Sequence, residues 1–571
     1  MRNITLGKIK MAKNMIRSLM IFMSRELRRG TLKDNFRGML KLEIKKEMSW
    51  AELLGEQARR YGKRTFLSFE GRDYSFREME ENACRMARFF LKLGGGRGKS
   101  AALVMENSPS FLDVFIGLQK IGMYTVPVNT SLKGDSLQYI LDHCDAEFLV
   151  IDDTFLDQLD RIRERLPKIK KILVYPAGGN GIRSRELGED SLLLSEALQM
   201  PATDPGVGYD PDDICFITYT SGTTGLPKGV VYRYRKSSVK LLSLVAHMLY
   251  RKKDVLYTAM KLFHGNALFV TVTCGLCVGA RVVLSRKFSA SRFWEEIRRH
   301  GITSFNTIGA MIPILMKQPE DPGDGKNRVR FILSAACPSD LWEKFERRYN
   351  LTIYEAYGAV DGGGKTILNL GTAPVGSIGK PPMNTKYRIV DAEMKDVPEG
   401  EGGELIFADP KNTGKGGSVE YYKNEKATSE KAGSDWIFTG DIMRRDRKGY
   451  LYFVGRSTES MRIKGENVSA FEVEQALQKH PDVMEAAVYA VPSELAEDDI
   501  MASVTLVEGR KTPEKDILEY VKENLPHFAV PRFLRIVEDF PKTETFRIKK
   551  KEVEEMGIAA GTYDAQKEAY V

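Results

Sequence analysis

Between Thr220 and Val230 the chain places four hydroxyls (Thr220, Ser221, Thr223, Thr224), three glycines (Gly222, Gly225, Gly229) and one lysine, Lys228. Glycines let backbone N–H groups approach an anion closely, while hydroxyls and an ammonium add donors and charge. Such a stretch is suited to holding phosphate. It is not a Walker A loop, because the Gly-x-x-x-x-Gly-Lys-Ser/Thr spacing is absent. The same rule excludes Gly94–Ser100, which ends in Gly98-Lys99-Ser100 but has Leu93 where the first glycine would stand. That segment reads as a turn into a strand at Ala101–Met105.

The apolar run Ile214–Ile217 just before the loop reads as a short buried strand. Upstream, helical and strand patterns alternate. Helices are expected over Ala51–Tyr61 and Phe76–Leu93, and strands over Ser100–Met105, Thr125–Val128, Phe148–Ile151 and Ile172–Tyr175. That alternation implies a parallel sheet covered by helices, with ligands held at the carboxyl ends of its strands.

Composition sets outer limits. The 571 residues are enough for a large core and more than one domain. No apolar run approaches the ~20 residues a bilayer span needs. The net charge of +9 belongs to residues 1–50, and the remainder carries equal numbers of acids and bases. No basic stripe follows a domain, so no nucleic-acid partner is expected. Residues 1–30 place Ile9, Ala12, Ile16, Leu19, Met20, Met23 and Leu27 near helical spacing among lysines and arginines. A helix lying on an anionic membrane and a helix packed on its own protein both fit that pattern. Six scattered cysteines point to a reducing, cytoplasmic setting. Cys274 and Cys277 sit in an apolar stretch and read as buried thiols.

The string Tyr219-Thr-Ser-Gly-Thr-Thr-Gly-Leu-Pro-Lys-Gly-Val230 resembles the phosphate-loop signature of adenylate-forming enzymes. Several further motifs follow in that family's order, and the resemblance covers roughly Trp50 to Glu552. It implies an α/β fold, with a large multi-subdomain N-terminal α/β part and a small mobile C-terminal α+β domain. On this chain that gives an arm at 1–48, an AMP-binding part at 49–456 and a C-terminal lid at 457–571. It implies joining of a carboxylate to AMP, with ATP, Mg²⁺ and CoA taking part. Thr220, Ser221, Gly222, Thr223, Thr224, Gly225 and Lys228 would hold phosphates. Ala335, Ala336 and Cys337 would let adenine lie against the backbone, beside Tyr357 and Gly358. Asp441 would accept from the ribose hydroxyls, and Arg456 would contact ribose and phosphate. His264, in Phe263-His264-Gly265, would line or gate the acyl pocket. Glu459 would lie at the hinge, and Gly465 in the CoA tunnel.

Two stretches narrow the resemblance. Asp340-x-Trp342-x-x-Phe345-x-x-Arg348 and Lys464-Gly-Glu-Asn-Val-Ser469 resemble the very-long-chain acyl-CoA synthetases, also called fatty acid transport proteins. Residues 491–499 also resemble other acyl-CoA ligases, so a carnitine-like, bile or aromatic acid stays open beside a fatty acid. Three positions depart from the family pattern. Val360 stands for a phosphate-binding threonine, Asp361 for a metal-binding glutamate, and Arg547 for the adenylation lysine. They leave open a nucleotide- or acyl-binding relative with weak ligase activity. Arg547 keeps a permanent charge on a planar, bulkier group. Substitution at Glu459 would impair thioester formation more than adenylation.

Overall fold

The computed structural model describes residues 48–571 except 178–189, 221–226, 237–238, 309–310, 383–384, 410–418, 433–434, 457–459, 464–465, 493–497, 524, 526 and 544–546. The expectations for the N-terminal arm, for Ser221–Gly225, for Glu459 and for Gly465 therefore lie outside the described residues.

The first two long helices begin with reciprocal capping boxes. Ser49 accepts from the Glu52 N–H while the Glu52 carboxylate accepts from the Ser49 N–H, starting Trp50–Tyr61. Ser75 and Glu78 do the same for Phe76–Lys92. Both helices turn their apolar faces inward. Trp50 packs edge-on against Phe115 and Phe216, and its indole N–H donates to Thr273 Oγ1 at 2.6 Å.

Two large sheets carry the chain. One runs in the order 191–193, 171–175, 148–152, 100–104, 124–127, 214–220, 228–233. Its pairs are parallel up to Ile214–Thr220, which turns back antiparallel onto Lys228–Arg233. Ser100–Val104 is buried along its whole length, as expected of a strand covered on both faces. The other sheet runs 366–369, 352–358, 331–335, 304–308, 255–258, 281–284, 65–69, 72–75. Its five strands from Thr352–Gly358 to Arg281–Leu284 are parallel. One apolar core joins the two sheets and the helices between them, with Leu53, Phe111, Phe216, Phe305 and Phe331 among its members.

A four-stranded antiparallel sheet follows, ending in Trp436–Arg445 and Leu451–Arg456. Beyond it a five-stranded sheet with helices Ala470–Gln478 and Glu514–Lys522 encloses its own core around Val473, Leu477, Val504 and Val521.

The apolar stretch after His264 is an eight-residue π-helix, Asn266–Thr273, running into the short helix Cys274–Val278. All six cysteines are free and buried, Cys274 and Cys277 included. Among the described residues no helix is long and apolar enough to cross a membrane.

Candidate active site

Strand ends converge where the sequence motifs lie. Val255–Thr258, Phe331–Ala335 and Thr352–Gly358 run parallel in the second sheet, so their carboxyl ends lie along one edge with Ala335 and Gly358, and Ile214–Thr220 of the first sheet ends at Thr220. Antiparallel register sets Thr220 opposite Lys228, at the two ends of the Gly/Thr-rich segment. The Thr220 hydroxyl lies 3.4 Å from the Lys228 carbonyl oxygen. The exposed Lys228 ammonium stands 5.5 Å from the centre of the Tyr421 ring.

Tyr421 links this loop to Asp361. Its hydroxyl donates to Asp361 Oδ2 at 2.6 Å, and Lys431 Nζ lies 3.2 Å from the same oxygen. The Lys431 ammonium and the Tyr421 hydroxyl hold the Asp361 carboxyl below its usual value against the opposing effect of burial, which is the largest single influence. The neighbouring Val360 is exposed, and its carbonyl accepts from Tyr232 at 2.9 Å. The 360–361 turn is thus tied to the strand that leaves the phosphate loop. Lys431 had no role in the sequence motifs. It lies seventy positions from Asp361, on the helix Glu425–Ala432, and no local pattern signals that contact.

Asp441 and Arg456 are cross-strand partners, with Arg456 Nε 2.8 Å from Asp441 Oδ1. The Tyr357 hydroxyl donates to Asp441 Oδ2 at 2.5 Å. Asp441 is 1% exposed, and burial raises its carboxyl although Arg456 and Tyr357 pull the other way. Tyr357, Asp441 and Arg456 therefore form one unit joined by a hydrogen bond and an ion pair, with Gly358 next to it at the strand end.

The Ala335-Ala336-Cys337 turn has an unassigned keeper. Ala336 adopts φ 65°, a left-handed conformation that costs a non-glycine residue about 1–2 kcal/mol. The buried Glu355 carboxylate accepts from the backbone N–H groups of both Ala336 and Cys337 and holds that turn. An acid inside the otherwise apolar strand Thr352–Gly358 was the available signal. Burial raises the Glu355 carboxyl to about 7, outweighing those two amides. A raised acid contributes stability that is present below its unfolded value of 4.5 and is lost as pH rises through about 7. Glu355→Gln should remove this dependence. Relative to the parent, the variant should gain roughly 3 kcal/mol between pH 4.5 and pH 8, read from denaturant midpoints. An unchanged difference across that range would refute the assignment.

His264 follows the strand Val255–Thr258 and packs against Phe263, with ring centroids 4.4 Å apart. Its Nε2 is buried with no hydrogen-bond partner among the described residues. Burial first, and then the Arg547 charge, lower the imidazole to about 4, so it is neutral at pH 7. Arg547 belongs to the C-terminal unit and is exposed. The adjacent lysines are engaged elsewhere: Lys549 with Glu552 at 2.8 Å, and Lys550 with Glu474 at 2.8 Å. One of the three positions that depart from the family pattern, Arg547, is thus the one whose charge reaches His264.

The AMP-binding enzyme family matches residues 54–416, and the AMP-binding enzyme C-terminal domain matches residues 472–547. Steroid-22-oyl-CoA synthetase of Rhodococcus jostii (strain RHA1) is 32% identical, over 79% of this chain and 81% of that protein. Crotonobetaine/carnitine–CoA ligase of Proteus mirabilis (strain HI4320) is 30% identical, over 86% and 96%. Long-chain fatty acid transport protein 6 of Mus musculus is 30% identical, over 88% and 84%. The crystal structure of anthranilate CoA ligase AuaEII with anthranoyl-AMP superposes with a TM-score of 0.79 at 25% identity, over 90% of this chain and 98% of that one. The chain belongs to the AMP-binding enzyme family, and its fold is that of the adenylate-forming enzymes.

Proposed function

We propose that this AMP-forming acid–thiol ligase makes acyl-CoA from a long-chain or very-long-chain fatty acid, ATP and CoA. In the first half-reaction a carboxylate oxygen attacks the α-phosphorus, the bond to the β-phosphate oxygen breaks, and pyrophosphate leaves. In the second the CoA sulfur attacks the acyl carbonyl carbon, the bond to AMP breaks, and the thiol proton passes to water. The observation that carries this reading is the pairing of a neutral, unpartnered His264 nitrogen with the Arg547 charge. An imidazole N–H can orient a carboxylate there, while a fixed cation stabilises charge that grows on the phosphate oxygens. Lys228 and Thr220 are assigned to the phosphates, Ala335–Cys337 and Tyr357 to adenine, and Asp441 with Arg456 to ribose. Residues 49–456 and 457–571 are assigned as the two mobile parts, with the hinge at Glu459 and the CoA tunnel at Gly465.

Mg²⁺, which the reaction class implies, does not fit a protein-held site at Asp361. One oxygen of that carboxylate already takes both Lys431 and Tyr421, and among the described residues Asp361 belongs to no cluster of three or more potential metal ligands. Lys431 supplies positive charge at that place instead.

The choice of a fatty acid rests on the wall beside His264. Leu262 to Ala280 contains no Asp, Glu, Lys or Arg, and Ala267, Leu268 and Val272 are buried. A long hydrocarbon chain suits such a wall, whereas a quaternary ammonium is recognised by aromatic cages or acids. The basic arm at residues 1–30 would hold the enzyme on an anionic bilayer, where such substrates partition. The test is AMP and acyl-CoA formation across acids from two to twenty-four carbons, with carnitine-like, steroid and aromatic acids alongside. A long-chain optimum supports the proposal. A preference for one of the other acids keeps the ligase and removes the fatty-acid assignment. ATP binding without product from any acid favours the binding-protein reading that Val360, Asp361 and Arg547 motivate.

A further inference from the structure

Far from the phosphate loop, Lys317 reaches from the large part of the chain into the C-terminal unit. It follows the helix Met311–Met316, and its ammonium donates to the carbonyl oxygen of Val483 at 2.5 Å. Val483 is the first residue of the strand Val483–Pro492. Two residues on, past an irregularity in the strand register, Glu485 attracts Lys317 and lies 2.7 Å from Lys542 Nζ. Lys542 opens the hairpin that carries Arg547. There the Thr543 N–H donates to the Arg547 carbonyl at 2.7 Å, and the Arg547 N–H donates to Thr543 Oγ1 at 3.1 Å. Lys542 and Ile548 pair across the same hairpin. A continuous set of polar contacts therefore runs from Lys317 through the start of one strand to the arginine whose charge reaches His264.

The surroundings make that contact informative. Beside it lies a cleft of about 320 Å³, lined by Met316 and Leu341 on one side and by Gln478 and Met484 on the other. Here the two parts meet across an open gap and not a packed apolar seam. Interfaces of that kind permit relative motion, so single polar ties set the preferred orientation.

We propose that Lys317 is a positioning residue for adenylation, fixing the C-terminal unit in the orientation that brings Arg547 to His264. Burial lowers the Lys317 ammonium to about 8, opposed by Glu485. A desolvated cation held against a backbone carbonyl is costly, and its retention at this one joint agrees with an orienting task. The inference rests on the ligase reading above and adds a state-specific contact to it.

The test uses the full chain and the variants Lys317→Met and Lys317→Arg. Pyrophosphate release without CoA reads adenylation, and transfer from supplied acyl-adenylate to CoA reads the second step. Spin labels at Glu320→Cys and Lys511→Cys, both exposed sites, report the distance between the two parts. The buried native cysteines leave those positions as the labelling targets. Lys317→Met should slow adenylation about tenfold or more, the scale of one lost charge-assisted hydrogen bond. It should leave acyl transfer within about twofold and broaden the distance distribution, and Lys317→Arg should recover most of the loss. Equal loss in both steps, no loss, or an unchanged distribution overturns the inference. If the parent makes no product from any acid, the ligase reading fails by itself. The distances in parent and Lys317→Met then still decide whether Lys317 fixes the orientation.

Discussion

Replacing Arg547 by glutamine is expected to slow acyl-adenylate formation by about two to three orders of magnitude, the usual loss when one group stabilising transition-state charge is removed. The expectation follows from position. Arg547 is held in a hairpin closed by Thr543, and its charge reaches His264. None of the neighbouring cations is placed to replace it, since Lys542 lies with Glu485, Lys549 with Glu552 and Lys550 with Glu474. Arg547→Lys should keep adenylation within about tenfold of the parent, because the charge survives while the planar fork is lost. Pyrophosphate release at saturating acid and ATP, without CoA, gives the rate. Acyl transfer from preformed adenylate serves as the control and should change little. The His264 imidazole supplies an independent readout. Removing the nearby positive charge should raise its value from about 4, which a proton titration followed by NMR would detect. A rate within threefold of the parent, with the imidazole unmoved, would take Arg547 out of the active site.

The second large effect is expected at Asp441. Asp441→Ala removes the acceptor of the Tyr357 hydroxyl and the ion-pair partner of the Arg456 guanidinium, and with them the proposed ribose contact. Hydrogen bonds to a charged group are worth about 1.5–3 kcal/mol each, so losing the ribose contacts should weaken AMP binding by about a hundredfold or more. Arg456 is 40% exposed, so water compensates part of its loss and the cost to stability should be smaller than for a fully buried pair. Tyr357→Phe separates the two roles of the tyrosine. It deletes the hydroxyl donated to Asp441 but keeps an aromatic face, so AMP affinity should fall far less than in Tyr357→Ala. Calorimetric titration with AMP measures all three variants. Equal affinities in Tyr357→Phe and Tyr357→Ala would exclude stacking by that ring.

Local physics made much of the fold legible. Ser49-x-x-Glu52 and Ser75-x-x-Glu78 are capping boxes written in four residues each, and the alternation before Ile151 yields the parallel strands of the first sheet. The helix Phe76–Lys92 ends one residue short of its expected bound. The apolar run after His264 carried no period that would distinguish a π-helix, because every face of it meets other chain. Resemblance assigned roles to Thr220, Lys228, Tyr357, Asp441 and Arg456, yet the contacts that Tyr421 makes with Lys228 and that Tyr421 and Lys431 make with Asp361 arise only when distant segments come together. Glu355 lay inside a recognised motif without a role, since what it holds is the backbone of another strand. Lys317 had no signal at all: a lysine after a short helix reads as solvent-exposed until the partner carbonyl is seen.

The burial of every cysteine bears on how the protein lives with its own co-substrate. Thiolates, not thiols, exchange with disulfides, and burial pushes Cys84, Cys144 and Cys277 up to about 12 and raises the other three as well. The enzyme therefore offers no competing sulfur nucleophile to CoA or to its oxidised dimer. Mixed-disulfide inactivation during turnover is suppressed by geometry alone. Chromogenic thiol reagents added to a working assay should accordingly report CoA consumption against an almost silent protein background.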